Sequence, residues 1–90
     1  MDDKFINDLY TKLEKDKIFN KEKLDSFVHS ISDIKEAIDK IYNEYLPKLL
    51  TEQSRDSLED IIWDIREEFR HIDYHIKDAN LLDISLDKKK

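Results

Sequence analysis

The amino-acid sequence has no cysteine, no glycine and only one proline in 90 residues. Without cysteine the chain can form neither a disulfide nor a thiolate metal site, as is usual in a reducing compartment. Without glycine it has no glycine-rich phosphate-binding loop and no tight turn that depends on glycine. A single proline leaves helices with few interruptions. These absences favour helices and argue against a nucleotide-binding loop.

Charge is abundant and unbalanced towards the acidic side. Charged residues make up 42% of the chain, and the formal net charge is −6 at pH 7. Nucleic-acid affinity comes from Lys and Arg that neutralise phosphates, so this balance argues against a general nucleic-acid binder and permits a basic protein partner. The sequence shows no charged-then-apolar signal pattern and no apolar run approaching a membrane span. We therefore expect a cytoplasmic protein that binds neither nucleic acid nor membrane.

Apolar spacing predicts three helices, at about 3–15, 21–46 and 54–82. In the two long helices apolar residues recur at alternating steps of 3 and 4, which is a heptad pattern. The second helix carries Leu24, Phe27, Ile31, Ile34, Ile38, Ile41 and Tyr45; the third carries Leu58, Ile62, Ile65, Phe69, Ile72, Ile76 and Ala79. A short connection makes these helices antiparallel neighbours. We predict an all-α fold: an antiparallel long-helix hairpin plus a short N-terminal helix, closing as a three-helix bundle or dimerising.

The predicted boundaries depend on a few cap and breaker residues. Asn20 should cap the second helix, and Pro47 should end or kink it, because the proline ring clashes with the preceding turn. The turn then lies within 48–56, where Thr51, Ser54 and Ser57 are alternative caps of the third helix. We expect one domain over residues 1–87, followed by a basic tail at 88–90.

The outward side of the third helix combines aromatic and acidic residues. Residues 54–82 hold four basic and eight acidic residues, so most of the chain's net negative charge lies there. Trp, Tyr and Arg are enriched among the residues that dominate protein interfaces. Either this side faces a partner, or the first helix or the tail covers Trp63 and Tyr74. We predict a partner-binding surface of eight residues: Asp60, Trp63, Asp64, Glu67, Arg70, His71, Tyr74 and Asp78.

His71 and His75 are one helical turn apart, with Glu67 and Asp78 near enough along the helix to complete a metal shell. Metal sites in helical bundles, however, use inward-facing ligands from several helices. The heptad frame turns His71, Glu67 and Asp78 outward and leaves His75 at the edge. The HExxH form of zinc proteases is absent, since Ile72 follows His71. We therefore predict a solvated surface here, with no metal ion and no cofactor.

Arg66 and His71 have an R-x4-H spacing, as do Arg70 and His75. This spacing resembles the short motif of the HEPN ribonuclease families, in which a helix presents Arg and His to the RNA backbone. The resemblance covers these residues alone, and Glu67 stands where the family commonly has a polar residue, often Asn. An acidic helix also repels RNA. A chance match is the preferred interpretation, and a ribonuclease is the remote alternative.

A small acidic helical chain without a catalytic arrangement is expected to bind proteins. Bacterial toxin-immunity proteins and antitoxins often combine this size, this charge and the lack of catalytic residues. We predict a non-enzymatic inhibitor of a basic, toxin-like partner, in which carboxylates of the third helix occupy a cationic cleft and Trp63 and Tyr74 act as anchors. The alternative is a structural or oligomerisation module that uses the heptads. Both a monomer and a homodimer are compatible with the pattern.

Overall fold

The structure is a computed structural model that describes residues 3–84 and residue 86. Its elements are α1 (Asp3–Asp16), α2 (Lys21–Lys40), a π-helical turn (Ile41–Tyr45), α3 (Leu46–Thr51), α4 (Arg55–Asp78) and a 3-10 helix (Leu81–Asp83). The predicted all-α fold is confirmed: α2 and α4 pack against each other as the long hairpin, and the short α1 packs on α2. The predicted basic tail at 88–90 lies outside the described residues.

The bundle is long and thin. Its principal extents are 59 × 26 × 14 Å, and its radius of gyration is 16.9 Å. A compact domain of this length would have a radius of gyration of about 12 Å. Few side chains are enclosed as a result, and the buried apolar residues are Leu24, Val28, Ala37, Ile41 and Ile65. With so small a core, each enclosed side chain carries a large share of the stability.

Pro47 does not end the helical path. Of the two predicted outcomes at Pro47, an end or a kink, the end at Leu46 is excluded, and residues 48–51 of the predicted turn are helical. Proline lacks an N–H, and its ring clashes with the carbonyl four residues earlier in an α-helix. The π-helical turn lies immediately before it, and the Leu46 N–H donates to the Ile41 carbonyl five residues back. The extra residue in this turn lets the helical path continue past Pro47 into α3. The connection to α4 is therefore only residues 52–54.

Side-chain caps start both long helices, and a backbone turn ends the second of them. The Asn20 side chain accepts a hydrogen bond from the N–H three residues later at 2.8 Å, as predicted. Among the three candidates for the next cap, Ser54 caps α4, because its Oγ accepts from the Ser57 N–H at 3.3 Å. The α4 helix ends before the predicted boundary at 82, since Asn80 adopts the left-handed conformation with φ of 53°. Asn tolerates this conformation better than most residues.

Polar contacts join α1 to the first turns of α2. The Tyr10 hydroxyl donates to Asp25 Oδ1 at 2.8 Å, and Lys21 Nζ donates to the Tyr10 oxygen at 3.1 Å. The hydrogen bond to Tyr10 raises the pKa of Lys21, and the nearby carboxylate of Asp25 raises it further. The short helix is therefore attached near one end of the hairpin.

The two heptad seams are only partly enclosed in the hairpin. Leu24, Ile41 and Ile65 of these seams are buried, but other members are open to solvent. Ile38, Ile62 and Phe69 belong to the predicted seams, yet they are 50%, 53% and 57% exposed. Ser30 and His75 are buried in the hairpin instead. Because Ser30 and Ala37 are small, the α2 surface that carries them can lie close to α4 and admit a bulky histidine ring. Membership of a heptad seam therefore does not ensure burial in this hairpin.

Candidate functional site

The eight predicted partner-binding residues all lie on α4, and all of them are exposed. We call them the acidic–aromatic face: Asp60, Trp63, Asp64, Glu67, Arg70, His71, Tyr74 and Asp78. At 100° per residue they occupy about one third of the helix circumference. The α2-facing side of α4, which contains the buried Ile65 and His75, is turned away from most of them. The predicted residues therefore share one solvent-facing surface, and their role in binding stays a prediction.

The two aromatic anchors of this face are open to solvent. Trp63 is 57% exposed and Tyr74 is 61% exposed, so neither α1 nor the described part of the C-terminal segment covers them. The guanidinium carbon of Arg66 lies 4.9 Å from the centre of the Trp63 ring, a cation–π distance. The Tyr74 ring meets His75 edge-on, with ring centres 5.3 Å apart. Both rings are thus held by neighbours while keeping free surface for a partner.

The charges of the acidic–aromatic face fall into two groups. Glu67 is engaged by two arginines: its Oε2 lies 3.5 Å from Arg66 Nη1 and 4.0 Å from Arg70 Nε. By contrast, the acidic residues of this face other than Glu67 make no hydrogen bond or ion pair with another residue of the described chain; these are Asp60, Asp64 and Asp78. Exposed carboxylates without a cation nearby attract basic partners most strongly.

A second cluster, which the sequence interpretation missed, lies between α2 and α4. Its members, the histidine cluster, are His29 and Asp33 on α2 and His71 and His75 on α4. His75 Nε2 lies 3.1 Å from His71 Nε2 and 3.1 Å from Asp33 Oδ2. His29 Nε2 lies 3.1 Å from the same Asp33 oxygen. Asp33, His71 and His75 each offer one possible metal-ligand atom, and these three atoms all lie within 4.8 Å of one another.

His75 is the buried centre of this cluster, being only 6% exposed. Its Nε2 points at Asp33 and His71, while its Nδ1 is buried without a hydrogen-bond partner among the described residues. The imidazole rings of His71 and His29 lie 4.7 and 6.2 Å from the His75 ring, centre to centre. A buried polar atom without a partner is costly, and such atoms often mark a functional site.

The interpretation of this region as plain solvated surface was wrong for His75. On α2, the carboxylate of Asp33 lies against His75. Glu67 and Asp78, the carboxylates predicted as possible neighbours of the histidines, are not part of the cluster. A usable signal was present: His29 with Asp33, and His71 with His75, are both one-turn pairs. In an antiparallel hairpin two such pairs can face each other.

The cluster is reached from solvent by an open groove. The groove has a volume of about 370 Å³ and lies between α2 and α4. It is lined by Asp33, Glu36, Ala37, Lys40, Glu68 and His71. Two of the lining groups, Lys40 Nζ and Glu68 Oε2, form an ion pair at 3.7 Å. A small ion can therefore reach Asp33 and His71 from solvent without any opening of the bundle.

The opposite side of the hairpin carries an exposed apolar surface. We call it the apolar flank, and it consists of Ile38, Tyr42, Ile62 and Phe69. By helical spacing Ile38 and Tyr42 share one side of the α2 path, and Ile62 and Phe69 share one side of α4. Both sides are opposite to the one that carries the histidine cluster. The shortness of α1 explains this exposure, since its 14 residues are about 21 Å long and the 24 residues of α4 about 36 Å.

None of the helices in the described part of the chain has the combination of length and hydrophobicity that crossing a membrane requires. The chain matches no protein-family model, no curated protein and no solved structure. The acidic–aromatic face, the apolar flank and the histidine cluster are therefore the basis for assigning a function.

Proposed function

We propose that the protein binds a basic protein partner through the acidic–aromatic face of α4. The observation that carries this proposal is the exposure of Trp63 and Tyr74 beside three carboxylates without a partner in the described chain. An isolated exposed aromatic residue needs no explanation, but two on one acidic helix face match the composition of interface centres. The partner is expected to carry Lys and Arg around an apolar depression that receives the indole and phenol rings.

Binding would proceed in two physical stages. The carboxylates of Asp60, Asp64 and Asp78 attract the partner over a distance limited by the Debye length, about 8 Å at physiological salt. The two rings are then buried against the partner. Truncation of such an aromatic residue at an interface typically costs about 2 kcal/mol or more of binding free energy. Charge thus sets the association rate, and the aromatic pair sets the residence time.

The finer form of the proposal is an inhibitor. The carboxylates would replace substrate phosphates in the cationic cleft of a toxin-like protein and block it by occlusion, as an immunity protein or antitoxin does. A cytoplasmic location and a bacterial source belong to this proposal. It requires no catalytic residue in the chain, so the protein itself would not be an enzyme.

The test compares three variants in a pull-down from native lysate followed by affinity measurement with the recovered protein. Trp63→Ala combined with Tyr74→Ala should weaken binding at least about 100-fold. Asp60→Asn, Asp64→Asn and Asp78→Asn together should slow association and flatten its salt dependence. Phe5→Ala is the control, because Phe5 is an equally exposed aromatic residue, at 61%, on α1. Equal affinity of the aromatic double variant and the control would refute the assignment of this face.

The apolar flank favours a second candidate function, self-assembly. Its four side chains are each half or more exposed and together present on the order of 400 Å² of mainly apolar surface. Such a patch is in the range that marks interaction sites on monomeric proteins. A second copy is the partner we propose, because three of the four flank residues are heptad positions, namely Ile38, Ile62 and Phe69. These positions lack the third helical wall, which α1 is too short to provide.

Sedimentation velocity tests the assembly directly. Wild-type protein should sediment as a dimer at micromolar concentration, and Phe69→Glu should sediment as a monomer. Trp63→Glu is the matched control, since Trp63 has the same exposure but lies on the acidic–aromatic face. A monomeric wild type would remove this candidate and leave the basic partner as the proposed ligand.

A further inference from the structure

We infer that Asp33, His71 and His75 form a binding site for a divalent transition-metal ion of the zinc class, which would join α2 to α4. This inference is independent of the proposed protein binding, although His71 also belongs to the acidic–aromatic face. Its basis is the geometry of three donor atoms around one point. Two of these atoms belong to side chains with solvent access, and the third belongs to a buried imidazole.

Two of the three separations between donor atoms match those of a tetrahedral site. Zinc binds imidazole nitrogen at about 2.0–2.1 Å and carboxylate oxygen at about 2.0–2.2 Å, so adjacent ligands lie about 3.3 Å apart. His75 Nε2 lies 3.1 Å from both other donors. The third separation, between Asp33 and His71, is at most 4.8 Å. Rotation of these two accessible side chains is enough to shorten it, and the buried His75 need not move.

The donor set selects the class of ion. Two imidazoles and one carboxylate suit zinc and neighbouring late transition metals, whereas magnesium and calcium prefer oxygen ligands alone. Three protein ligands leave a fourth position for water, which the open groove can supply. An ion held in this way bridges helices that are distant in sequence, so binding to the folded state stabilises the hairpin.

His29 acts as a positioning residue in this arrangement. Its Nε2 is 3.1 Å from Asp33 Oδ2, so its N–H can hold the carboxylate in place while another lone pair faces the ion. In the part of the chain that the structure describes, the buried Nδ1 of His75 lacks the acceptor that a ligating histidine usually has. Loss of such a supporting hydrogen bond typically weakens metal binding about 10–100-fold. We therefore expect weaker binding than at a fully supported structural zinc site.

The test uses the full chain, with any affinity tag removed and all metal extracted by a chelator. Isothermal titration calorimetry with Zn²⁺ should show one site per chain. Asp33→Asn and His71→Ala should each weaken it at least about tenfold, and His29→Ala should weaken it less. Asp73→Asn is the control, because Asp73 is a carboxylate on α4 that pairs with Lys77 at 3.1 Å, outside the cluster.

A second measurement separates ligand loss from misfolding. Co²⁺ bound by these three residues should give the intense visible absorption of a tetrahedral site in wild type and in Asp73→Asn, and lose it in Asp33→Asn and His71→Ala. Circular dichroism should show unchanged helicity in all four proteins, since neither mutated ligand is buried. The inference is overturned by the absence of saturable binding in the folded wild type. Affinity that is the same in the two ligand variants and in the control would overturn it as well.

Discussion

Replacing His75 by leucine should stabilise the metal-free protein, although His75 is buried and makes close contacts. The imidazole has one buried nitrogen without a partner among residues 3–84 and 86, and the other nitrogen contacts Asp33 and His71. Leucine has a similar volume and no polar atom, so it fills the same space without requiring a hydrogen bond. Asp33 would not be left isolated, because His29 remains 3.1 Å from its oxygen and its side chain is 26% exposed.

The expected magnitude follows from favourable and unfavourable terms. Removing a buried unsatisfied polar group gains about 1–3 kcal/mol, and the more apolar leucine side chain gains about 1 kcal/mol from burial. Losing the hydrogen bond to the Asp33 carboxylate costs about 1.5–3 kcal/mol, because its acceptor is charged. The net change in the free energy of unfolding is therefore a gain of about 1 kcal/mol. For a domain of this size that corresponds to a rise of about 4–8 °C in the melting temperature. His75→Ala should instead destabilise the protein, since it leaves a cavity.

The assay is urea denaturation followed by circular dichroism, with a chelator present throughout. His71→Leu is the matched control, because His71 is an exposed histidine in the same cluster, and its stability should change by no more than about 0.5 kcal/mol. If His75→Leu is destabilised as much as His75→Ala, the reasoning fails. In that case the buried imidazole contributes favourable interactions that outweigh its unpartnered nitrogen.

Two further predictions concern stability elsewhere in the bundle. Leu24→Ala should lower the free energy of unfolding by about 2–5 kcal/mol, because Leu24 is only 2% exposed. The control Leu50→Ala should change it by no more than about 0.5 kcal/mol, because Leu50 is 88% exposed. Equal effects of the two variants in urea denaturation would contradict the described packing of Leu24. Burial raises the pKa of Tyr45 above its usual value of 10.0, so the folded state favours the neutral phenol. The neutral phenol of Tyr45 therefore contributes its full stability to the folded state below pH 10, and this contribution is lost as the pH rises through the pKa of the folded state. Between pH 8 and pH 11, the free energy of unfolding should fall less for Tyr45→Phe than for wild type or for Tyr42→Phe, the exposed control.

The heptad spacing and the short connection were sufficient to predict the helices, their antiparallel pairing and the side of α4 that carries the acidic–aromatic face. They left open whether the first helix or the tail covers Trp63 and Tyr74. They were not sufficient to fix the rotation of each helix about its own axis. A seven-residue repeat says which residues share a side, and the closest approach of two helices depends on side-chain size. Here Ser30 and Ala37 allow that approach, so Asp33 and His75 meet in the hairpin. The passage of the helix through Pro47 likewise depends on a local π-helical turn, for which the apolar spacing gave no sign.

The rotation of α4 about its own axis determines both the formation of the histidine cluster and the exposure of the apolar flank. Phe69 and His75 are six residues apart, so their side chains leave the helix about 120° apart. The stripe of a helix that contacts one neighbour is about 100° wide, and it cannot be centred on both residues. With Ile65 and His75 turned towards α2, Phe69 is necessarily left at the solvent edge. A packing that buried Phe69 instead would move His75 away from Asp33 and break up the donor set. The exposed apolar surface and the convergent donor atoms are thus two consequences of one helix orientation, in which a polar ring occupies core space that an apolar residue could fill with greater stability.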